Sequence, residues 1–524
     1  MSAKNYPASQ PFINLHAIAR QAMAKYGFLS DFSPRVLKEI STFKKDIPVL
    51  QEPAVKDLRP LLWSSIDNEE SQDLDQIEFC ERCPNQEIKI LVAVADVDHY
   101  VTKRSACDKQ ARHNGTSVYT GVDVFPMLPQ QLSHDLSSLK PEQDRLAVVV
   151  EFFVRKDGSV RYGNVFRALV RNKAKLVYES AGDWLEDKKP MPEAIKPVEG
   201  LEDQVRLQDE AAQRLHAFRM RNGALELETI EARPVMAEGN IVDLAVVQKN
   251  RARYIIENFM IVANQTMMWF LEKNNSPLIQ RVLKEPERWD RIVGIADALG
   301  ETLPVSPDAP ALSDFLVRRH KTDPERFPDL SLTIIKLIGS AEYMLAEPGK
   351  TTQGHFGLAV QDYIHSTAPN RRYVDIIIQR LIKAVLLGQH IPYTKRDLND
   401  LALWCTERTQ AAKKVERFMR KVAAAVLLRE RIGEIFDSIV TGASEKGVYV
   451  RLISPPAEGR VVRGGKGLEI GEKVLVRLVN LEPEKAYIDF ERADYSGYVN
   501  MSEKGMNHDN HVSRRHRRKY VRPN

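Results

Sequence analysis

The spacing of apolar positions changes several times along the chain, and each change marks a different kind of element. Over residues 12–45, Phe12, Leu15, Ile18 and Ala19 keep the spacing of one helix face. Phe32-Ser33-Pro34 then punctuates the pattern before Val36, Leu37 and Ile40, which is a helix start signal. A small helical cap over residues 1–50 is expected, followed by a linker at 45–57 that holds Pro48 and Pro53. Residues 88–97 (IKILVAVADV) are almost continuously apolar and β-branched, as in a strand covered on both faces. Residues 147–154 and 160–170 flank Lys156-Asp157-Gly158-Ser159, a hairpin signal. Helical spacing dominates at 254–271, 371–387 and 401–432. Strands followed by helices predict an α+β catalytic body over 51–430. Beyond Gly433, short strand patterns at 435–440, 448–453, 459–462, 473–478 and 486–491 predict an OB-fold β-barrel over 431–493. Such barrels commonly bind single-stranded nucleic acid. Residues 494–524 are polar and basic, and a disordered tail is expected there.

Composition narrows the class. The chain has 524 residues, 43% hydrophobic and 28% charged, which suits a soluble globular protein of two to four domains. The net charge of +5 is matched by residues 505–524 alone, where Arg514, Arg515, Arg517, Arg518, Lys519 and Arg522 stand against Asp509. A neutral body with a basic end points to a polyanionic partner. Four cysteines (Cys80, Cys83, Cys107 and Cys405) are too few for a disulfide framework, so no disulfide-linked partner is expected. No signal-peptide pattern opens the chain, and no stretch approaches the roughly 20 apolar residues that span a bilayer. A cytoplasmic monomer without a membrane partner is the expectation.

The segment at 64–76, SSIDNEESQDLDQ, carries the most chemistry. Asp73 and Asp75 alternate about Leu74, so an extended chain points both carboxylates the same way. The loop before them can return Asp67 to their side. Converging carboxylates without Lys or Arg among them repel, and a divalent cation removes the penalty. Oxygen-only ligands suit magnesium. Two such ions about 4 Å apart would clamp the attacking water and the leaving oxygen of a phosphoryl displacement. The alternatives are a solvated acidic loop or a calcium site, although the EF-hand pattern lacks its glycine.

Residues 363–379 (YIHSTAPNRRYVDIIIQ) read as a strand ending at Thr367-Ala368-Pro369, followed by a helix start. Arg371 and Arg372 then fall in the first turn, where the helix dipole is already positive. Cations placed there can gather an anion, and together with exposed amides they form a phosphate site. The alternative is a structural pair with Asp375, and it suits Arg372 better than Arg371.

These segments, with YTGVDVFPMLPQQLSHDLSSL, NKAKLVYESAGDWL, ENFMIVAN and HFGLAVQDYIHSTAPNRRYVDIIIQRLIKAVL, resemble the ribonuclease II family of exoribonucleases, in the family's order over about residues 57–390. The resemblance implies a ribonuclease II-type catalytic domain and processive hydrolysis of single-stranded RNA from its 3′ end. Nucleoside 5′-monophosphates and a short limit product would result, with magnesium (or manganese) as cofactor. Asp67, Asp73 and Asp75 match three aspartates of the family's acidic motif, but Gln76 stands where a fourth, metal-ligating aspartate is usual. Glu69 or Glu70 is the candidate to supply the missing charge. The resemblance makes Asp75 the residue most critical for turnover, and gives Arg371 the charge on the scissile phosphate. It makes Tyr119 a stacking platform for a base near the RNA end. Arg372 is a further RNA contact. Asn370 replaces the family's usual isoleucine, and the glutamate carried on a later helix is expected to be replaced near Ala412. The paired cold-shock domains of the larger members have no room before Lys56.

Other signals are weaker. Cys80 and Cys83 form a lone CxxC, which reads as a loop between strands rather than a zinc site. His134 and His365 read as structural histidines. A second function, of another class, stays open: an RNA-binding protein of the same fold that has lost activity through Gln76. An endonuclease is a third.

Overall fold

A computed structural model describes residues 13–43, 55–228, 232–237, 240–246, 249–350, 354–358, 363–444 and 447–493. Phe12, residues 45–54 of the expected linker, and the basic tail at 494–524 lie outside the described residues.

The cap is two helices, α1 (Leu15–Lys25) and α2 (Pro34–Ile40), and the start signal holds: Ser33 caps α2 with Pro34 in the first turn. The end of the expected linker is a strand, β1 (Val55–Asp57), paired in parallel with a later strand. There follow β2 (Trp63–Asp67), β3 (Gln76–Arg82) and β4 (Ile88–Ala95). Next come α3 (Ala106–Asn114), β5 (Val118–Tyr119), β6 (Val124–Phe125), β7 (Asp144–Val154) and β8 (Val160–Val177). The main sheet has the order β1-β8-β2-β3-β4-β7, and β7 also pairs with β8 in the expected hairpin. The long β8 therefore meets β7 with its first part and β2 with its last. β4 lies between β3 and β7 and is buried along nearly its whole length, as its unbroken apolar run requires.

Helices α4 (Tyr178–Leu185) and α5 (Leu201–Arg221), strands β9 (Ala232–Ala237) and β10 (Asn240–Val246), and helix α6 (Arg251–Lys273) come next. Strand β11 (Leu278–Val282) precedes three helices, α7 (Trp289–Ala298), α8 (Ala309–Thr322) and α9 (Phe327–Ile338), and β12 (Glu342–Ala346) returns to pair with β11. The apolar faces of α4, α5 and α6 pack on the sheet and share its core with α10 (Tyr373–Leu386). Helix α11 (Lys395–Leu427) is 33 residues long and opens with a capping box of Thr394 and Asp397. It packs against the cap along one stretch, and its last turn enters the core of the terminal barrel. That barrel is closed, in the order β13 (Ile435–Ser444), β14 (Gly447–Leu452), β15 (Glu458–Arg463), β17 (Tyr487–Arg492) and β16 (Lys473–Glu482). Its five strands are those expected from the spacing. Arg451 of the barrel reaches Asp329 of α9 at 2.8 Å, a buried pair that fixes the barrel to the body.

Helix α10 differs from expectation at its start. It begins at Tyr373, not Arg371, and Arg372 is the N-cap with extended backbone (φ −135°, ψ 125°). The residues before it, 363–366, form no strand. Polar contacts hold α10 against the sheet. Lys383 lies 3.0 Å from both Asp96 and Asp98, and Asp96 also pairs with Arg167 at 3.1 Å. Arg380 joins Asp98 at 2.6 Å and Asp108 at 2.8 Å, and donates to the Tyr393 hydroxyl. Each buried charge has an opposite partner, the condition under which burial is tolerated.

Breaking this network from one side leaves carboxylates stranded. Arg380→Met is expected to cost about 3–5 kcal/mol in chemical unfolding of the α+β body. A loss below about 1 kcal/mol would show that water replaces the guanidinium there.

Candidate functional site

The site forms where the start of β3 meets the approach to α10. Asp75 directly precedes β3, and its carbonyl accepts from the Ala95 amide of β4 at 2.9 Å. The preceding Leu74 is fixed by Ser138 Oγ on one side and the Leu139 amide on the other. From the opposite direction, Asn264 of α6 accepts from both the amide and the hydroxyl of Ser366, and Asp375 of α10 accepts from the Ala368 amide. The chain between these anchors is thus delivered to Asp75. The Asn370 amide donates to Asp75 Oδ1 at 2.9 Å, and Arg371 Nε lies 3.1 Å from Asp75 Oδ2.

Asp67 ends β2 on the other side of a cleft of about 190 Å³. Asp67, Gln76, Tyr178, Asn264, Arg371 and Arg372 are among its lining residues. Asp73 lies within electrostatic range of both Asp67 and Asp75. The Oδ2 atoms of Asp67 and Asp75 are buried and make no hydrogen bond among the described residues. Burial is the largest influence on both carboxyls; Arg371 opposes it and Asp73 adds to it. The Asp67 carboxyl is raised to about 6 and that of Asp75 to about 7.

Arg371 is exposed over nearly half its side chain, and its carbonyl accepts from the Ser117 amide and the Thr116 hydroxyl. That clamp ties it to β5, which carries Tyr119. Tyr119 is 42% exposed, and its hydroxyl sits beside Arg371. Its amide donates to Glu416 Oε1 on α11 at 3.2 Å. Arg372, by contrast, is held by Asp375 at 2.7 Å, the structural pairing that its sequence position favoured.

The sequence-derived residues Asp67, Gln76, Arg371 and Arg372 therefore border one cleft, Asp75 is joined to it through Arg371, and Asp73 and Tyr119 lie within electrostatic range of Asp75. Tyr178, Asn264 and Glu416 were missed. Tyr178 and Asn264 lie inside quoted motifs, and that was their available signal. Glu416 lies one turn beyond the Ala412 position at which a glutamate was sought, so α11 does present a carboxylate to the site. Glu69 and Glu70 are exposed on the loop after Asp67 and do not replace the missing aspartate within the cleft. His365 is half-buried, held neutral by its surroundings, with the Tyr343 hydroxyl 2.7 Å from Nδ1. Cys80 is buried in β3, Cys83 follows it, and all four cysteines are free.

Two family models match the chain. Residues 55–388 match the RNB domain, which accounts for more than half of the sequence. The chain belongs to the RNB family. Residues 434–493 match the RNase II-type exonuclease C-terminal S1 domain, which coincides with the closed barrel. Ribonuclease R of Aquifex aeolicus is 29% identical over 92% of this chain and 70% of its own length. Ribonuclease R of Escherichia coli is 27% identical over 87% of this chain and 59% of its own. Mycoplasma genitalium RNase R, solved with ribose-methylated single-stranded RNA, has a TM-score of 0.82 at 22% identity, covering 91% of this chain and 78% of that one. Yeast Ssd1, a pseudonuclease, has a TM-score of 0.70 at 16% identity, covering 89% of this chain and 58% of that one. The RNB fold is thus shared with a pseudonuclease, and activity has to be argued from the site.

The donor set fits a hard divalent cation: buried carboxylate oxygens without a hydrogen bond among the described residues, beside an amide carbonyl. Among the described residues no three acidic, His or Cys side chains are gathered tightly enough to hold an ion by themselves. That suits magnesium, which takes one or two carboxylates and completes its ligands with substrate phosphate. Among the described residues no helix is long and apolar enough to cross a membrane.

The raised carboxyls have a consequence without cations. Protonation favours the folded state, so their contribution to stability is full below about pH 4 and is lost as pH rises through about 6 and about 7. In EDTA, Asp67→Asn is expected to flatten the fall in unfolding midpoint between pH 5 and 8. A variant whose pH profile parallels the wild type would exclude the strained carboxyl.

Proposed function

We propose that this chain is a magnesium-dependent exoribonuclease that hydrolyses single-stranded RNA processively from its 3′ end, yielding nucleoside 5′-monophosphates and a short limit product. It is read as a cytoplasmic monomer. The observation that carries the proposal is the meeting of the buried Oδ2 atoms of Asp67 and Asp75, which make no hydrogen bond among the described residues, with the half-exposed guanidinium of Arg371, ion-paired to the second of them. Support comes from the family and from relatives named Ribonuclease R.

Asp67, Asp73, Asp75 and the Gln76 carbonyl would hold the cation, with manganese as the alternative ion. When bound, the cation would act as a Lewis acid on the scissile phosphate and make water nucleophilic near neutral pH. Arg371 neutralises Asp75 in the free protein and is placed to turn its donors to the phosphate as negative charge builds on the equatorial oxygens. Tyr119 offers a ring face for a base near the 3′ end, without regard to sequence. Its backbone is anchored by Glu416, so the ring is positioned by α11 as well as by its own loop. Arg372 acts by fixing the approach to α10 through Asp375, with its cleft-facing edge as a secondary RNA contact.

The second reading is an RNA-binding protein of the same fold with little or no activity, and Gln76 favours it. A neutral amide in place of a carboxylate removes one negative charge from the cleft.

A time course on 5′-labelled single-stranded RNA with magnesium separates the two. The exoribonuclease gives a ladder that shrinks from the 3′ end to a short labelled product. Asp75→Asn is expected to lower the rate at least 10²-fold, and Arg371→Ala by a comparable factor, as for loss of one transition-state donor. Tyr119→Ala is expected to weaken retention of short RNA more than it slows the chemical step. Intact RNA with the wild type, while binding persists, would establish the binding protein instead.

A further inference from the structure

The cleft lacks one carboxylate at Gln76, and a buried carboxyl without a partner lies two residues further along the same strand. Alternation in β3 puts Gln76 and Glu78 on one face of the sheet. Gln76 lines the cleft, and Glu78 sits about 6–7 Å deeper, one pleat repeat along the strand. Glu78 is 0% exposed, and neither Oε1 nor Oε2 has a hydrogen-bond partner among the described residues. Among the described residues no Lys, Arg or His pairs with it. Asp67 is the acidic group that faces it, and Tyr178 borders both carboxyls. Its neighbours on the strand, Ile77 and Cys80, are fully buried apolar side chains.

A carboxyl in such a place is costly unless something compensates it. An apolar side chain would fill the position without that cost. The fold supplies no positive charge there, because the nearby charge is negative, and in the free protein burial holds the carboxyl towards its neutral form. Compensation can come from a cation held at Asp67. The exposed Glu69 and Glu70, although closer to Asp67 in sequence, bring no charge into the cleft.

We propose that Glu78 is the fourth anionic group of the cation site, supplying from the next pleat of β3 the charge that Gln76 leaves out. This rests on the proposed cation-binding reading of Asp67 and Asp75. The glutamate side chain is one methylene longer than aspartate, and oxygens tied to no donor are free to turn towards a cation. Gln76 then contributes its amide carbonyl, and Glu78 the charge. The site takes one fewer ligand charge at the cleft surface and one more beneath it.

The test is Mn²⁺ binding to the full chain without RNA, counted and titrated by electron paramagnetic resonance. Wild type, Glu78→Gln, Gln76→Asp and the double variant Gln76→Asp/Glu78→Gln are compared, with thermal unfolding of each in EDTA. Glu78→Gln is expected to weaken Mn²⁺ binding at least tenfold while leaving unfolding in EDTA unchanged or shifted upward. The double variant is expected to recover binding to within about threefold of wild type, because a carboxylate at position 76 replaces the lost charge. Wild-type affinity in Glu78→Gln would overturn the proposal and leave the Asp67 and Asp75 site standing. Loss of cooperative unfolding in both Glu78→Gln and the double variant would overturn it in favour of a structural role. Failure of the wild type to bind any Mn²⁺ would overturn the cation reading itself, and this proposal with it.

Discussion

The site depends on one join, the contact of Asp75 with the Asn370 amide and the Arg371 guanidinium. Asp75 belongs to the sheet, since its carbonyl completes the edge of β4. Asn370 and Arg371 belong to the approach to α10. A carboxylate that is buried and already raised towards neutral pH is thus the latch between two halves of the catalytic body. The latch cannot be satisfied by the fold alone, because one oxygen accepts an amide while the other faces the guanidinium without a hydrogen bond. A phosphate and a cation would each relieve part of that imbalance, the first by drawing on Arg371 and the second by drawing on Asp75.

The rest of the body holds this strained arrangement in place. Helix α10 is almost entirely buried, and its polar residues are matched to the end of β4, the turn after it and α3: Gln379 to the Ala95 carbonyl, Lys383 to Asp96 and Asp98, and Arg380 to Asp98 and Asp108. None of these groups reaches the cleft, but they fix the position and rotation of α10. Around α10 the buried charges are paired and hydrogen-bonded, while by the cleft the Oδ2 atoms of Asp67 and Asp75 make no hydrogen bond among the described residues. Such unevenness is what a fold shows where it stores the cost of binding.

Much of this was legible in the sequence, for identifiable reasons. The barrel strands and the β7–β8 hairpin show through because period-two spacing and Gly-containing turns are local signals. The acidic cluster shows through because its members are close in sequence, with Asp73 and Asp75 fixed by simple alternation. The start of α10 was misplaced by two residues. Arg371 and Arg372 look like a first turn, but the Ser117 amide and the Thr116 hydroxyl take the Arg371 carbonyl, and this holds the backbone extended. Short strands such as β5 and β6 carry too few residues to show a period. Glu416 was missed because its distance from Tyr119 is set by how α11 crosses the body, which no local spacing encodes. Glu78 was invisible for a different reason: a lone glutamate in a strand reads as a solvent-facing position, and only the packing reveals it as buried.

The fold does not decide whether the chain cuts RNA, since a pseudonuclease shares it. The question is one of charge balance in a small volume. Counting only the residues that border the cleft gives a site short of one carboxylate, which favours binding without hydrolysis. Counting the second layer, where Glu78 lies beneath Gln76 with both oxygens unpartnered, restores the number. The sequence departure at position 76 and the buried charge at position 78 are each hard to account for alone. Taken together they describe a site whose net charge is kept while its distribution is changed. Gln76 alone would favour a lost function; with Glu78 in the role proposed for it, Gln76 would mark a rearranged site instead.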